Sequence, residues 1–409
     1  MPGPAHATTP PAPGRSLFTA LFIDAVGSGL WLPFNLIFFT QAQQVALGPA
    51  GVALTAGALV GLVVGQLSGG VLDRVGPYAA LVVSNLARAL VFSLYPVVHH
   101  PWQVAVVAAA VSAGDRVYWT ASYPYLASRT SGRDVDRLFG TVSVLQLIGL
   151  GLGAAAAGLF ATNTDALHLL AWLNAASFLA SGLLFLTQPR IPRTQQSADA
   201  DTARPATVWR DRPYLQLCGA HILLVVMTSS YVVILPLAIL REFHGPTWLV
   251  GASVITANAV LAATQKPVIR YARSRPRRTL ILASLPVFAV SFVVLTPLNG
   301  HTGITEVVIL VLVASCLGGL AESMSTTLMI SAANQAAPAG SQGRYSAAFQ
   351  TSWGLAEVIA PLLFTRLLLA GNAALWLTLV AVAGLVAPVL TSASRRLPPS
   401  VLTLPDGTE

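Results

Sequence analysis

Six ionisable side chains stand inside long apolar stretches of this sequence, where a charge is costly. They are Asp24, Arg88, Asp115, Arg116, Glu322 and Glu357. Insertion scales put the cost of one charge at a membrane helix centre at roughly 2.5–3.5 kcal/mol, so these residues are candidates for function. A carboxylate beside an arginine suits proton coupling, because protonation of the acid releases the arginine. The alternative is that the charges form structural ion pairs that fix the register of the helices.

The depth of each charge limits which of them can pair. With a rise of 1.5 Å per residue, Asp24, Arg88, Arg116 and Glu357 lie roughly 10–20 Å from the ends of their helices. These depths overlap, and we favour Asp24 with Arg116 as the coupling pair. Consecutive helical residues point about 100° apart, so Asp115 and Arg116 are expected to face different partners.

Polar and aromatic residues recur at helical spacing beside these charges. Residues three or four apart share one face of a helix, which predicts a mixed aromatic and polar cavity. The candidates for its lining are Trp31, Asn35, Tyr118, Trp119, Tyr123, Tyr231, Gln350 and Trp353.

The composition indicates a polytopic membrane protein. Hydrophobic residues make up 55% of the 409 residues and charged residues only 9%, against roughly a quarter charged in an ordinary soluble domain. The net charge of +8 is spread over short loops and forms no single patch, so nucleic acid is not expected as a partner. No phosphate-cradling motif or metal-ligand cluster is visible in the sequence, which argues against an ATP-driven pump. No spacing of a nucleophile and a base rises above background, so an enzyme is not expected.

Apolar runs of about the length that crosses a bilayer divide the chain. We predict an all-α protein of twelve transmembrane helices in two pseudo-symmetric six-helix halves. The predicted spans lie at about 17–40, 49–71, 78–98, 102–127, 138–161, 166–187, 214–240, 247–268, 279–297, 304–332, 344–369 and 373–393. The corresponding regions are a disordered tail (1–16), an N-terminal half (17–187), a central loop (188–213), a C-terminal half (214–393) and a second tail (394–409).

The basic residues predict the orientation. Of the 23 lysines and arginines, all but four fall in the tails, the central loop, or the turns and adjoining span ends on the same side of the membrane. The exceptions are Arg88 and Arg116 within spans and Arg241 and Arg366 on the opposite side. By the positive-inside rule both termini are expected in the cytoplasm, in a multi-pass protein of the plasma (inner) membrane.

The turn between spans 2 and 3 carries a motif. Its residues Gly69-x-x-x-Asp73-Arg74-x-Gly76 resemble the cytoplasmic loop signature of the major facilitator superfamily. The segment GRYSAAFQTSWGLAEVIAPLL in span 11 is similar to that of the drug-efflux-like branch. In span 5, Gly153 to Gly158 resembles a degraded form of the motif of proton-driven exporters. The resemblance implies alternating access, and we interpret Gly69, Asp73, Arg74 and Gly76 as a conformational latch.

Four glycines of span 2, Gly57, Gly61, Gly65 and Gly69, recur every four residues. Such a ridge lets helices approach closely. It indicates either static packing within one half or a moving contact between halves, and the sequence leaves both open.

The functional hypothesis is a monomeric secondary transporter that exports small organic, amphipathic or drug-like molecules. The proton gradient supplies the energy and no cofactor is needed. Two alternatives are a proton-linked importer or facilitator of a metabolite, and a non-transporting membrane sensor on the same fold.

Overall fold

A computed structural model describes residues 14–127, 129, 134–161, 163–189, 208–272, 275–338, 342–398 and 401. These residues form twelve long helices, numbered α1–α12 in chain order. Their bounds are Arg15–Ala42, Leu47–Val75, Pro77–Ser93, Pro101–Ala127, Asp134–Phe160, Thr164–Leu186, Arg212–Arg241, Thr247–Ala272, Arg277–Leu295, Ile304–Ala336, Gln342–Ala370 and Asn372–Ser394. The predicted spans agree with these helices to within a few residues. Residues 1–13 of the predicted N-terminal tail, residues 190–207 of the predicted central loop and most of the predicted C-terminal tail lie outside the described residues.

Eleven of the twelve helices are long and apolar enough to cross a membrane. The remaining helix, α4, spans 27 residues, which at 1.5 Å per residue is about 40 Å. Its apolar character is reduced because it carries Asp115 and Arg116 in its middle. The all-helical membrane fold predicted from the sequence is confirmed.

Sequence signals set the ends of several helices. The turn between α2 and α3 places Gly76 at φ 86°, a conformation that glycine adopts without a steric penalty. Pro77 follows as the first residue of α3, where a missing N–H costs nothing. The side chains of Asn163 and Asp211 accept hydrogen bonds from Ala166 N and Tyr214 N and cap α6 and α7.

The packing of the two sets of six helices follows one pattern. Within the N-terminal half (α1–α6), α1 packs against α5 and α6, α2 against α4, and α3 against α4 and α6. Within the C-terminal half (α7–α12), α7 packs against α11 and α12, α8 against α10, and α9 against α10 and α12. Adding six to each helix number of the first set gives the second, so the halves are structural repeats.

Two seams join the halves, α2 with α11 and α5 with α8. We call the end of the bundle where α1 begins and α12 ends proximal, and the opposite end distal. On the first seam, Thr55 Oγ1 donates to Val358 O at 3.0 Å and accepts from Leu362 N at 3.1 Å. On the second, a Cβ on Gly158 would lie 2.9 Å from Gly251 N. Thr55, Gly158 and Gly251 all lie toward the distal ends of their helices, so the halves meet there.

The glycine ridge of α2 packs against α4 of the same half. A Cβ on Gly57 would lie 2.5 Å from the Ala108 Cβ, and one on Gly61 would lie 2.4 Å from the Ser112 Cβ. One on Gly65 would lie 3.3 Å from the Arg116 side chain. Of the two interpretations of the ridge, these three glycines support packing within one half.

Candidate functional site

Arg88 on α3 is the centre of a buried charge cluster in the N-terminal half. Its Nη1 donates to Asp115 Oδ1 at 2.8 Å, and its Nη2 donates to Asp24 Oδ1 at 2.9 Å and Asn85 Oδ1 at 2.7 Å. The Asp24 side chain is only 6% exposed, whereas that of Asp115 is 42% exposed. We call these four residues the Arg88 cluster. One arginine holds three helices together through α1, α3 and α4.

Two aromatic rings enclose the guanidinium of Arg88. Its Cζ lies 4.4 Å from the ring centroid of Tyr118 and 4.1 Å from that of Phe178. A cation over an aromatic face is attracted by the ring quadrupole, more so where water is absent. Gly114 leaves room for the arginine stem, because a Cβ there would lie 2.8 Å from the Arg88 Cγ.

Arg116 on α4 pairs with Glu357 on α11, and the predicted pairing of Asp24 with Arg116 is wrong. Arg116 Nη2 donates to Glu357 Oε2, while Asp24 pairs with Arg88. Depth alone suggested the first pairing, but depth does not fix which way a helix face points. The expectation that Asp115 and Arg116 have different partners is confirmed.

The Arg116–Glu357 ion pair joins the two halves near the middle of the bundle. Glu357 lies 13 residues from the distal end of α11, or about 20 Å. Gly65 on α2 and Gly354 on α11 flank Arg116, each within about 3.3 Å if it carried a Cβ. The Glu357 side chain is 48% exposed. An exposed carboxylate opposite a cation of the other half can take up a proton and release its partner.

The two charge groups are adjacent in the chain, because Asp115 belongs to one and Arg116 to the other. Together they contain three carboxylates and two guanidiniums, so their formal charge is −1 when all are ionised. One added proton makes the whole set neutral. A net charge within a bilayer is costly, so this set of residues is suited to hold one exchangeable proton.

Glu322 on α10 is a separate acid in the C-terminal half. Among the described residues its carboxylate has no hydrogen-bond or ion-pair partner. Tyr231 lies against the same helix, with its ring over Gly318 and its hydroxyl bonded to Ser291 Oγ. Its stacking on Phe292 makes Tyr231 a packing residue of the C-terminal half rather than a lining of open space.

Trp31 belongs to the core and not to a cavity, contrary to the prediction. Its ring contacts Phe38, Phe92 and Tyr95 edge-on, with centroids 4.9–5.1 Å apart, and edge-to-face contacts of this kind stabilise a core. After Trp31 the backbone of α1 changes to a 3₁₀ turn at 32–34 and a π-helical segment at 38–42. The regular helical face assumed from the spacing does not continue past this point.

The other predicted cavity residues differ in how far they are buried. Tyr118 is buried beneath Arg88, and the Asn35 Oδ1 atom is buried without a partner among the described residues. Trp119 is 43% exposed and packs edge-on against Tyr118, and Gln350 is exposed. Trp353 is half-buried against His221. The side chain of Tyr123 lies outside the described residues.

The predicted latch is described only in part. Gly69, Asp73 and Arg74 belong to the proximal end of α2, but their side chains lie outside the described residues. Gly76 forms the turn as expected. Near the proximal end of α11, the Tyr345 hydroxyl donates to Asp211 Oδ2 at 2.9 Å, and its ring packs against Tyr214.

Comparison with known proteins agrees with this arrangement of two repeated six-helix halves. The sequence profile of the Major Facilitator Superfamily matches residues 17–361 and 217–409. The chain belongs to the Major Facilitator Superfamily. This member of the superfamily is therefore a secondary transporter of the membrane and not an enzyme. A search of curated proteins found no significant match.

Solved structures of two transporters are similar to the chain in fold at low sequence identity. A point mutant of the nucleoside transporter NupG is 13% identical with a TM-score of 0.73, covering 92% of this chain and 98% of that one. A bacterial homolog of the human lysosomal transporter Spinster, in an inward-facing and unoccupied conformation, is 12% identical with a TM-score of 0.70. It covers 95% of this chain and 98% of that one. At these identities the likeness establishes the fold.

Proposed function

We propose that this transporter exports small amphipathic or apolar organic molecules in exchange for protons. The observation that carries the proposal is the Arg116–Glu357 pair, which joins the halves through an acid that is half exposed. A protonated Glu357 no longer attracts Arg116, so one bond between the halves is lost. Alternating access requires the halves to move relative to each other, and protonation of this residue would favour that movement.

The Arg88 cluster is the fixed part of the same scheme. Asp115 keeps Arg88 as its partner when Arg116 is released from Glu357. Asp24 stays buried against Arg88 and keeps α1, α3 and α4 in register. Glu322 is a further candidate for a proton, since it has no cation beside it in the described structure.

The state of the transport cycle is inferred from the predicted orientation of the termini. With both termini in the cytoplasm of a cell whose plasma (inner) membrane holds the protein, the distal end faces outward. The halves meet at that end, so this arrangement corresponds to an inward-facing state. We propose a monomer, because one chain contains both halves and the pair between them.

The substrate class is proposed from the residues around the interhalf pair. Trp119 supplies an aromatic face and Gln350 an amide. Arg116 and Glu357 already pair with each other, so neither offers an unpaired charge to an ionic substrate. The resemblance of α11 to drug-efflux-like members points the same way. A proton-linked importer or facilitator of a metabolite is the alternative, and the direction of flux distinguishes the two.

A proteoliposome experiment tests proton coupling. Ligands are first selected from a chemically diverse panel by thermal stabilisation, because a bound ligand raises apparent stability. Each ligand is then applied to vesicles loaded with a pH-sensitive dye. We expect wild-type protein to move protons when substrate is added, and Glu357→Gln to exchange substrate across the membrane without moving protons.

Glu306→Gln is the matched control, because Glu306 lies exposed in the first turn of α10, at its distal end. This variant should couple like the wild type. Proton movement by Glu357→Gln at the wild-type rate would rule out Glu357 as the coupling acid. Substrate uptake down a proton gradient, in place of exchange, would favour the importer.

A further inference from the structure

A cleft of about 890 Å³ lies at the distal end of the bundle. The N-terminal half supplies most of its walls, from the end of α1, the start of α2 and the start of α4. The C-terminal half supplies Arg241, Arg366 and Leu369. These two arginines are the exceptions to the positive-inside pattern on this side, and the structure brings both to one cleft.

The charge of this distal cleft is positive. None of the residues that line it is an aspartate or a glutamate. Arg366 has no hydrogen-bond or ion-pair partner in the described part of the chain. Arg241 has one contact with its sequence neighbour Glu242, whose Oε1 lies 3.6 Å from the Arg241 Nε, which is longer than a good hydrogen bond. An anion in the cleft can therefore approach these arginines without displacing a strong ion pair.

The remaining walls of the cleft are largely apolar. Val52, Trp102 and Leu369 line it and are themselves exposed. A small inorganic anion would leave these surfaces in contact with water. A ligand that has an acidic group and an apolar body would cover them and gain from both kinds of contact.

We propose that the distal cleft binds amphipathic organic anions, with a carboxylate or phosphate at the two arginines and an apolar body against α2 and α4. Because both halves supply its walls, the bound anion stabilises the arrangement in which they meet at the distal end. This second statement rests on the transport cycle proposed above, whereas the binding itself does not. The anion comes either from solution or from the headgroup of an acidic phospholipid.

Thermal unfolding of the full-length protein in nanodiscs tests the binding. The probe is octanoate, compared with octanol and octylammonium of the same chain length, in phosphatidylcholine nanodiscs with and without phosphatidylglycerol. Each guanidinium–carboxylate contact is expected to contribute about a factor of ten in affinity. Arg366→Gln and Arg241→Gln should each weaken the octanoate effect by that order. Arg395→Gln, an exposed arginine at the proximal end, is the matched control.

Octanoate stabilisation that depends on both arginines identifies a soluble organic anion as the ligand. Stabilisation by phosphatidylglycerol that is lost in the double variant, with no further effect of octanoate, identifies the lipid headgroup. Equal stabilisation of the wild type and the double variant, or no stabilisation by either anion, would overturn the site. Octanol or octylammonium acting as well as octanoate would overturn the role of charge.

A disulfide between α2 and α11 at the distal end tests whether the bound anion stabilises the arrangement in which the halves meet there. A Cβ on Gly51 would lie 2.9 Å from the Thr365 Cβ, so Gly51→Cys with Thr365→Cys can be linked after a small separation of the helices. The background replaces Cys218 and Cys316. The linked protein should bind octanoate at least as tightly as the reduced one. Weaker binding in the linked form would refute stabilisation of the distal-closed state and leave proton coupling untouched.

Discussion

Replacement of Arg88 by glutamine should be among the most destabilising single changes in the N-terminal half. The side chain of Arg88 is 2% exposed and makes two ion pairs and a hydrogen bond. Removal of one partner from a buried ion pair costs about 3–5 kcal/mol, because the remaining charge is left uncompensated. Asp115 can be hydrated where it is exposed, but Asp24 cannot. We therefore expect Arg88→Gln to lose about 3–5 kcal/mol, and most of that loss to come from Asp24.

A double-mutant cycle isolates the contribution of the buried pair. Asp24→Asn alone should cost less than Arg88→Gln, because Arg88 keeps Asp115 as a partner. Addition of Asp24→Asn to Arg88→Gln should recover about 1–3 kcal/mol, since it removes the uncompensated carboxylate. The assay is denaturant unfolding in detergent, together with the thermal midpoint. Arg395→Gln is the surface control.

Two results would refute this reasoning. The first is an Arg88→Gln variant as stable as Arg395→Gln, which would mean that water or another residue satisfies Asp24. The second is strict additivity of Arg88→Gln and Asp24→Asn, which would mean that the two side chains do not interact.

Three further changes test other parts of the account. Gly158→Ala places a Cβ 2.9 Å from the backbone of α8 and should destabilise the packing of α5 against α8 by about 1–3 kcal/mol. Gly151→Ala is the control on the same helix, because its Cβ would meet no atom within 4 Å, and it should leave the seam unchanged. Equal unfolding midpoints for the two variants would contradict the close contact of α5 with α8. Trp31→Ala should cost about 3–5 kcal/mol without altering ligand affinity, whereas Trp119→Ala should lower affinity with little loss of stability; the reverse pattern would restore Trp31 to the cavity. Asp73→Asn should slow transport without abolishing binding, and unchanged turnover would remove the latch.

The sequence was sufficient for the helices because their signals are local. Apolar runs, Gly76-Pro77 and the caps at Asn163 and Asp211 each act within a few residues. Even the weakest span, α4, was found from its length. The division into two pseudo-symmetric six-helix halves was predicted from the sequence, and the packing pattern of the helices confirms it.

Side-chain pairing could not be predicted in the same way. Asp24 can reach either Arg88 or Arg116 if only depth is considered, and the rotation of each helix decides between them. The contacts of Asn85 and Phe178 with Arg88 were not predicted. An uncharged residue in a membrane helix costs less to insert than a charged one and so does not stand out in the sequence. Gly114 gave one signal, a small residue beside two charges, which indicates space for a long side chain.

Distances between the halves test the central claim of alternating access most directly. Spin labels at Leu159 on α5 and Trp248 on α8 report the distance between the halves at the distal end. Labels at Val75 on α2 and Ser346 on α11 report the distance at the proximal end, and all four residues are exposed. Across pH and with ligands that stabilise the protein, we predict two populations in which the distal distance lengthens as the proximal distance shortens. A single distal-closed distribution under every condition, or two distances that change in the same direction, would contradict the account.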